Sequence, residues 1–105
     1  MRNYPPEAMG PKNQHECYAQ TPASDLYMLG LVMWEMLNAK LVWNQYPTSG
    51  ANQRVLAGEK PEFEEGVKDR VPHEVIALIY RCLEFNPVDR PTFSELADSL
   101  RALHA

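Results

Sequence analysis

His15 and Cys17 stand two positions apart, and with Cys82 or His104 they come nearest to a metal-ligand set in this chain. A structural zinc site needs two short-spaced pairs of Cys or His, so that four ligands can close a tetrahedron. One such pair is half of that, and these residues read as ordinary side chains. Nucleophilic hydrolysis finds no support. The sequence has no Gly-x-Ser-x-Gly elbow, and its histidines fall in a proline-rich start, at a helix start and at the C-terminus. Asp25 opens an apolar run. There, an acid in the first turn of a helix is favoured by the dipole by about 0.3–1 kcal/mol. An arginine fork can engage a carboxylate bidentately, but a Glu and an Arg read from sequence alone are ordinarily solvated and apart.

The elements that hold these residues are helical. Met1 to Thr21 contains Pro5, Pro6 and Pro11 with Gly10, so no long helix fits there. One turn over Pro6 to Met9 is allowed, since proline is tolerated in a first turn. A helix is expected from Pro22, with Ser24 as its N-cap. Leu26 to Leu37 is apolar on nearly every face, the mark of a central helix covered all round. Tyr27 and Trp34 lie at helical spacing within it and read as core packing. Asn38 to Ser49 reads as a loop, followed by a short helix over Ala51 to Ala57 with Gly58 as a left-handed stop. Glu59 to Asp69 is charged and carries Pro61 and Gly66, so it reads as an exposed connection. Pro72 opens an amphipathic helix with Val75, Leu78, Ile79, Cys82 and Leu83 on one face, ending before Asn86-Pro87. Thr92-Phe93-Ser94-Glu95 is a capping box for the last helix. Leu96, Leu100 and Leu103 form its expected inward stripe.

Composition bounds the function. The 105 residues make one domain at most. The formal charge of −4, with no run of Lys or Arg, argues against a nucleic-acid or anionic-membrane surface. The longest apolar stretch is about a dozen residues where a membrane span needs ~20. The start lacks an apolar signal core. Two cysteines far apart read as reduced thiols, and a cytoplasmic location is expected.

Four stretches, in order, resemble a known family. Tyr4-Pro5-Pro6-Glu7 is similar to the Ala-Pro-Glu motif that closes the activation segment of protein kinases. Ser24-Asp25-Leu26-Tyr27-Met28-Leu29-Gly30-Leu31-Val32-Met33-Trp34-Glu35 resembles the central helix of their C-terminal lobe. Leu78-Ile79 with Cys82-Leu83 resembles the next-to-last major helix. Asn86-Pro87-Val88-Asp89-Arg90-Pro91-Thr92-Phe93 resembles the Asp-Pro-x-x-Arg-Pro-Thr-Phe signature. Tyr27 and Trp34-Glu35 look most like tyrosine kinases and tyrosine-kinase-like Ser/Thr kinases.

The resemblance implies an all-α, kinase-like C-lobe fragment built around a buried central helix over about 22–38, with helices about 51–57, 73–85 and 92–103. It implies one partial kinase domain over 1–105, from the end of the activation segment to the end of the lobe. It also implies a structural ion pair between Glu7 and Arg90. Asp25 matches the aspartate that holds the catalytic loop, a loop these residues do not contain. Tyr4 and Pro5 match a remnant of the substrate-contacting loop. Phosphoryl transfer needs a Gly-rich loop, a strand lysine, His-Arg-Asp and Asp-Phe-Gly, and none of these occurs in the sequence. ATP and Mg are therefore implied only for an intact family member, and no cofactor, metal or catalytic residue is expected in this chain. The expected function is a kinase C-lobe inactive by itself, the alternative a non-catalytic interaction module. Expected partners are proteins: missing kinase segments, another kinase chain or a chaperone. Without its neighbours, one side of Leu26 to Leu37 is expected to face water.

Overall fold

The computed structural model describes residues 5–8 and 21–104. Five α-helices follow one 3-10 turn over Pro6–Ala8: α1 Pro22–Asn38, α2 Thr48–Leu56, α3 Glu65–Arg70, α4 His73–Cys82 and α5 Phe93–His104. The described residues contain no strand, so the chain is all-α. Among them, no helix is long and apolar enough to cross a membrane.

α1 is the axis. Its N-cap is Thr21 rather than Ser24: the Thr21 hydroxyl accepts from the Ser24 backbone N–H at 3.1 Å, and Pro22 takes the first helical position. Threonine reaches the third N–H from the cap, the donor that a cap side chain satisfies. Ser24, one turn in, is free to point its own hydroxyl elsewhere. At the other end the chain turns left-handed at Ala39, φ 55°, and the Asn38 side chain donates to the Trp34 carbonyl at 2.8 Å. The same side chain accepts from the Glu64 backbone N–H at 2.8 Å, tying the end of α1 to the loop before α3.

Two clusters make the core. Tyr27, Leu31 and Trp34 of α1 pack with Val42, Trp43, Val55, Phe63, Val67, Ile79 and Leu83. Leu26 packs with Leu78, Cys82 and Leu96 on the flank toward α5. α4 approaches α1 closely enough that a Cβ on Gly30 would lie 3.0 Å from the Cys82 Cβ and 3.0 Å from a Leu83 methyl. Glycine at that point sets the helix spacing. The remaining face of α1 is open to water: Val32 is 43% exposed and Met36 75%. The helix is thus apolar nearly all round but leaves Val32 and Met36 exposed.

Several expectations are corrected. The stretch from Glu59 to Asp69 is not wholly exposed, for Pro61, Phe63 and Val67 are buried and α3 occupies its second half. Alternate apolar residues among charges were enough to anchor it. α2 starts at Thr48, three residues before the expected start, and ends at Leu56, one before the expected end, with Ala57 as its C-cap. There Gly58 takes φ 86°, with the Glu59 N–H donating to the Arg54 carbonyl and the Gly58 N–H to Val55, both at 3.0 Å. That is the Schellman pattern, which needs a left-handed residue and favours glycine. α4 stops at Cys82 rather than Phe85: past it the Glu84 N–H turns to the Arg81 carbonyl at 3.3 Å, and the carbonyls of Glu84 and Phe85 accept from Arg90. The Thr92–Glu95 capping box forms, at 2.9 and 3.1 Å. Of the expected inward stripe on α5, only Leu96 is buried; Leu100 and Leu103 are 40% and 42% exposed, because α5 touches the body by its first turns.

Candidate functional site

Arg90 follows a 3-10 turn over Pro87–Asp89, which starts at Asn86 and delivers the arginine side chain under the N-terminus of α1. The proline supplies a preset φ, and the Asn86 side chain accepts from the Val88 N–H. The Arg90 side chain is 0% exposed and Glu7 is 27% exposed.

The two meet edge on. Nη1 donates to Glu7 Oε2 and Nη2 to Glu7 Oε1, each at 2.9 Å. This is the bidentate fork that arginine offers a carboxylate and lysine does not. The other donors are also placed: Nη1 to the Ala23 carbonyl at 2.9 Å, Nε to Glu84 at 2.8 Å and Nη2 to Phe85 at 3.3 Å. A guanidinium has five N–H groups, and all five are satisfied. The Tyr27 ring lies beneath, 4.9 Å from the guanidinium carbon. A buried charge is tolerated only under such complete pairing.

Ser24 completes the carboxylate, donating its hydroxyl to Glu7 Oε2 at 2.9 Å. Burial alone would raise the Glu7 carboxyl. The Arg90 hydrogen bonds, with those from its own backbone region and from Ser24, outweigh it and hold the group below the ordinary carboxylate range. Tyr27 is pushed up to about 12, chiefly by burial, which Arg90 partly offsets. Cys82 is pushed up to about 11, again chiefly by burial.

The other sequence-singled residues fall into place around this centre or away from it. Pro5 is buried just before the 3-10 turn, whereas Tyr4, His15 and Cys17 lie outside the described residues. Asp25 is exposed in the first turn of α1, where it complements the helix dipole. Tyr27 and Trp34 are buried, Trp34 against the edge of Phe63 with centroids 6.2 Å apart. Among the described residues no three His, Cys, Asp or Glu side chains converge to hold a metal ion. Sequence reading missed the parts played by Ser24 and Asn38. Ser24 carried a local signal that pointed to capping, and Asn38 carried none, since its partner lies 26 positions away.

A second feature is a cleft of about 360 Å³ between the loop after α1 and the loop before α3, bordered by Lys40, Arg54 and Lys60 among aromatic rings.

Comparison with known proteins places the whole arrangement. The family model described as protein tyrosine and serine/threonine kinase matches residues 1–100. The chain is 33% identical over 104 residues to E3 ubiquitin-protein ligase KEG of Arabidopsis thaliana, covering 93% of this chain and 6% of that protein. It is 29% identical over 102 residues to inactive protein tyrosine kinase pTKL of Plasmodium falciparum, covering 95% and 6%. It is 27% identical over 101 residues to human receptor-interacting serine/threonine-protein kinase 1, covering 91% and 14%. The chain thus spans a small part of each of these relatives. With the family model matched over nearly its full length, this chain belongs to the protein tyrosine and serine/threonine kinase family.

Proposed function

We propose that these residues are the C-terminal lobe of a protein kinase, from the end of the activation segment to the last helix, and that they do not transfer phosphate by themselves. One observation carries the reading. Stretches that resemble three separate kinase motifs converge on a single guanidinium: Glu7 from the first, Ser24 and Tyr27 from the second, Arg90 from the last. Such a knot fastens the end of an activation segment to the body of a lobe.

The motifs that cradle nucleotide phosphates and hold their metal are not in the sequence, so on this reading Mg–ATP belongs to other segments of the family's domain. One relative is named an inactive protein tyrosine kinase. The same description suits these residues alone, because the transfer machinery lies in other segments of the family's domain. A cytoplasmic location accords with the reduced, buried Cys82.

The open face of α1, Val32 and Met36, favours a second function as an interaction surface for protein: the remaining kinase segments, another kinase chain or a chaperone. The purified chain with Mg–ATP and peptide acceptors is expected to give background phosphate transfer. Turnover above background, abolished by a substitution within the chain, overturns the reading. Reading the coding DNA upstream of the Met1 codon for in-frame His-Arg-Asp and Asp-Phe-Gly separates a kinase fragment from a free-standing interaction module.

A further inference from the structure

Two hydroxyls beside the Arg90 centre have protons that can be counted. The Thr21 and Ser24 hydroxyl oxygens lie 3.2 Å apart, and by distance alone either could donate. A further contact settles the direction. Ser24 Oγ lies 2.9 Å from Glu7 Oε2. Both Glu7 oxygens accept from Arg90, and the carboxyl is held below its ordinary range, so it is ionised at neutral pH and only accepts. A serine hydroxyl has one proton. Ser24 gives that proton to Glu7 and has none for Thr21, so the Thr21 hydroxyl donates to Ser24 Oγ.

The bonds then run one way. The Ser24 backbone N–H donates to Thr21 Oγ1 at 3.1 Å, the Thr21 hydroxyl to Ser24 Oγ, and the Ser24 hydroxyl to Glu7 Oε2. Each hydroxyl accepts one bond and donates one. Hydrogen bonds in such a series polarise one another, which makes each hydroxyl a stronger donor than it is alone. The series begins on an otherwise unpaired N–H at the positive end of a 17-residue helix. It ends on the carboxylate that grips Arg90. The branched Cβ of threonine restricts its rotamers and keeps the oxygen between the two Ser24 groups it meets. Tyr27 also feels the Glu7 charge, but at about 12 its phenol stays neutral through the acid range. Asp25, in the same first turn of α1, is exposed.

We propose that Thr21 is a positioning residue for Glu7: by donating to Ser24 it aims the serine proton at the carboxylate, and so couples the cap of α1 to the attachment of residues 5–8. Glu7 and Ser24 stand 17 positions apart, so the device joins two segments of the chain. Without the Thr21 hydroxyl, the Ser24 oxygen loses the donor that fixes it and its proton is free to turn from Glu7. Glu7 then keeps the Arg90 fork with a weaker third donor. The inference stands on hydrogen-bond geometry and is independent of the kinase-lobe reading.

The test separates capping from positioning. T21G removes the hydroxyl where glycine caps about as well as threonine, and T21S keeps it. The Glu7 carboxyl is titrated in the full chain by ¹³C NMR, its signal identified by its loss in E7Q. T21G is expected to raise the Glu7 pKa toward the ordinary carboxylate value, and T21S to leave it at the wild-type value. S24A is expected to raise it as well, and T21G added to S24A to raise it no further. Where T21G loses its helical circular dichroism, the same variants are titrated in sucrose, which favours the compact state. A wild-type Glu7 pKa in folded T21G makes Thr21 a cap only and overturns the inference. So does a T21G shift of equal size with and without the Ser24 hydroxyl, or a T21S shift as large as that of T21G.

Discussion

Glu7 and Arg90 stand 83 positions apart and share two parallel hydrogen bonds of 2.9 Å. Breaking a buried pair from one side leaves the other charge unpaired, at a cost of about 3–5 kcal/mol. Glu7→Ala strands the fully buried Arg90 guanidinium and is expected to lose that much in urea denaturation, whereas Arg90→Met strands a Glu7 that keeps some solvent contact and loses less on this count. The double variant should recover part of the loss, since no buried charge then remains. Equal stability of wild type and Glu7→Ala removes the pair from the account of the fold.

The same pair sets an acid limit. The folded-state pKa of Glu7 lies below its unfolded value of about 4.3. The stability it contributes is therefore present above about pH 4.3 and is lost as pH falls through the lower folded value. Denaturation midpoints measured from pH 7 down to pH 2 should fall in that window. In Glu7→Gln that part of the fall should be missing.

An alkaline limit follows from Cys82 and Tyr27, whose folded pKa values are raised to about 11 and about 12. Groups raised in this way contribute stability below their unfolded values, near 8.5 for a thiol and 10 for a phenol, and lose it as pH climbs toward the folded ones. The folded chain should thus weaken progressively above about pH 8.5. Iodoacetamide at pH 7.5 should spare Cys82 in the folded chain and label it in urea, as read by peptide mass.

Two glycines make opposite predictions. Gly30→Ala puts a methyl against the Cβ of Cys82, an atom that cannot move without its helix. The expected loss is about 1–3 kcal/mol. Gly66 lies in α3 with open space where its Cβ would go. Gly66→Ala should stabilise by about 0.4–1 kcal/mol, by restricting the unfolded chain. Urea midpoints of the two variants, measured together, check both.

The open face of α1 predicts self-association. Met36→Glu or Val32→Lys should lower the weight-average mass in sedimentation at high concentration and leave the helical signal intact. A strict monomer in the wild-type chain, with a sharp cooperative melt, contradicts the exposed face as a contact surface.

Helix positions were largely legible because the signals for them are local. Pro22, the apolar run after it, Gly58, Pro87 and the Thr92–Glu95 box each act within a turn or two of themselves. The errors came where a distant partner outbid a local preference. Ser24 looked like a cap and instead serves Glu7, while Thr21 caps. α4 ends at Cys82, and Arg90 meets the carbonyls of Glu84 and Phe85 beyond it. Phe63 and Val67 sit in a charged stretch, and nothing local shows that Trp34 and Tyr80 await Phe63.

By itself the sequence determined the all-α class, the apolar axis over α1 and the resemblance that paired Glu7 with Arg90. Propensity, periodicity and motif order are written along the chain. Only the tertiary structure decided that five donors of one arginine are all met, that Val32 and Met36 of α1 are exposed, and that Arg54 lies over the ring of Tyr46. Those facts depend on which distant surfaces meet, because hydrogen bonding and burial are settled by neighbours in space.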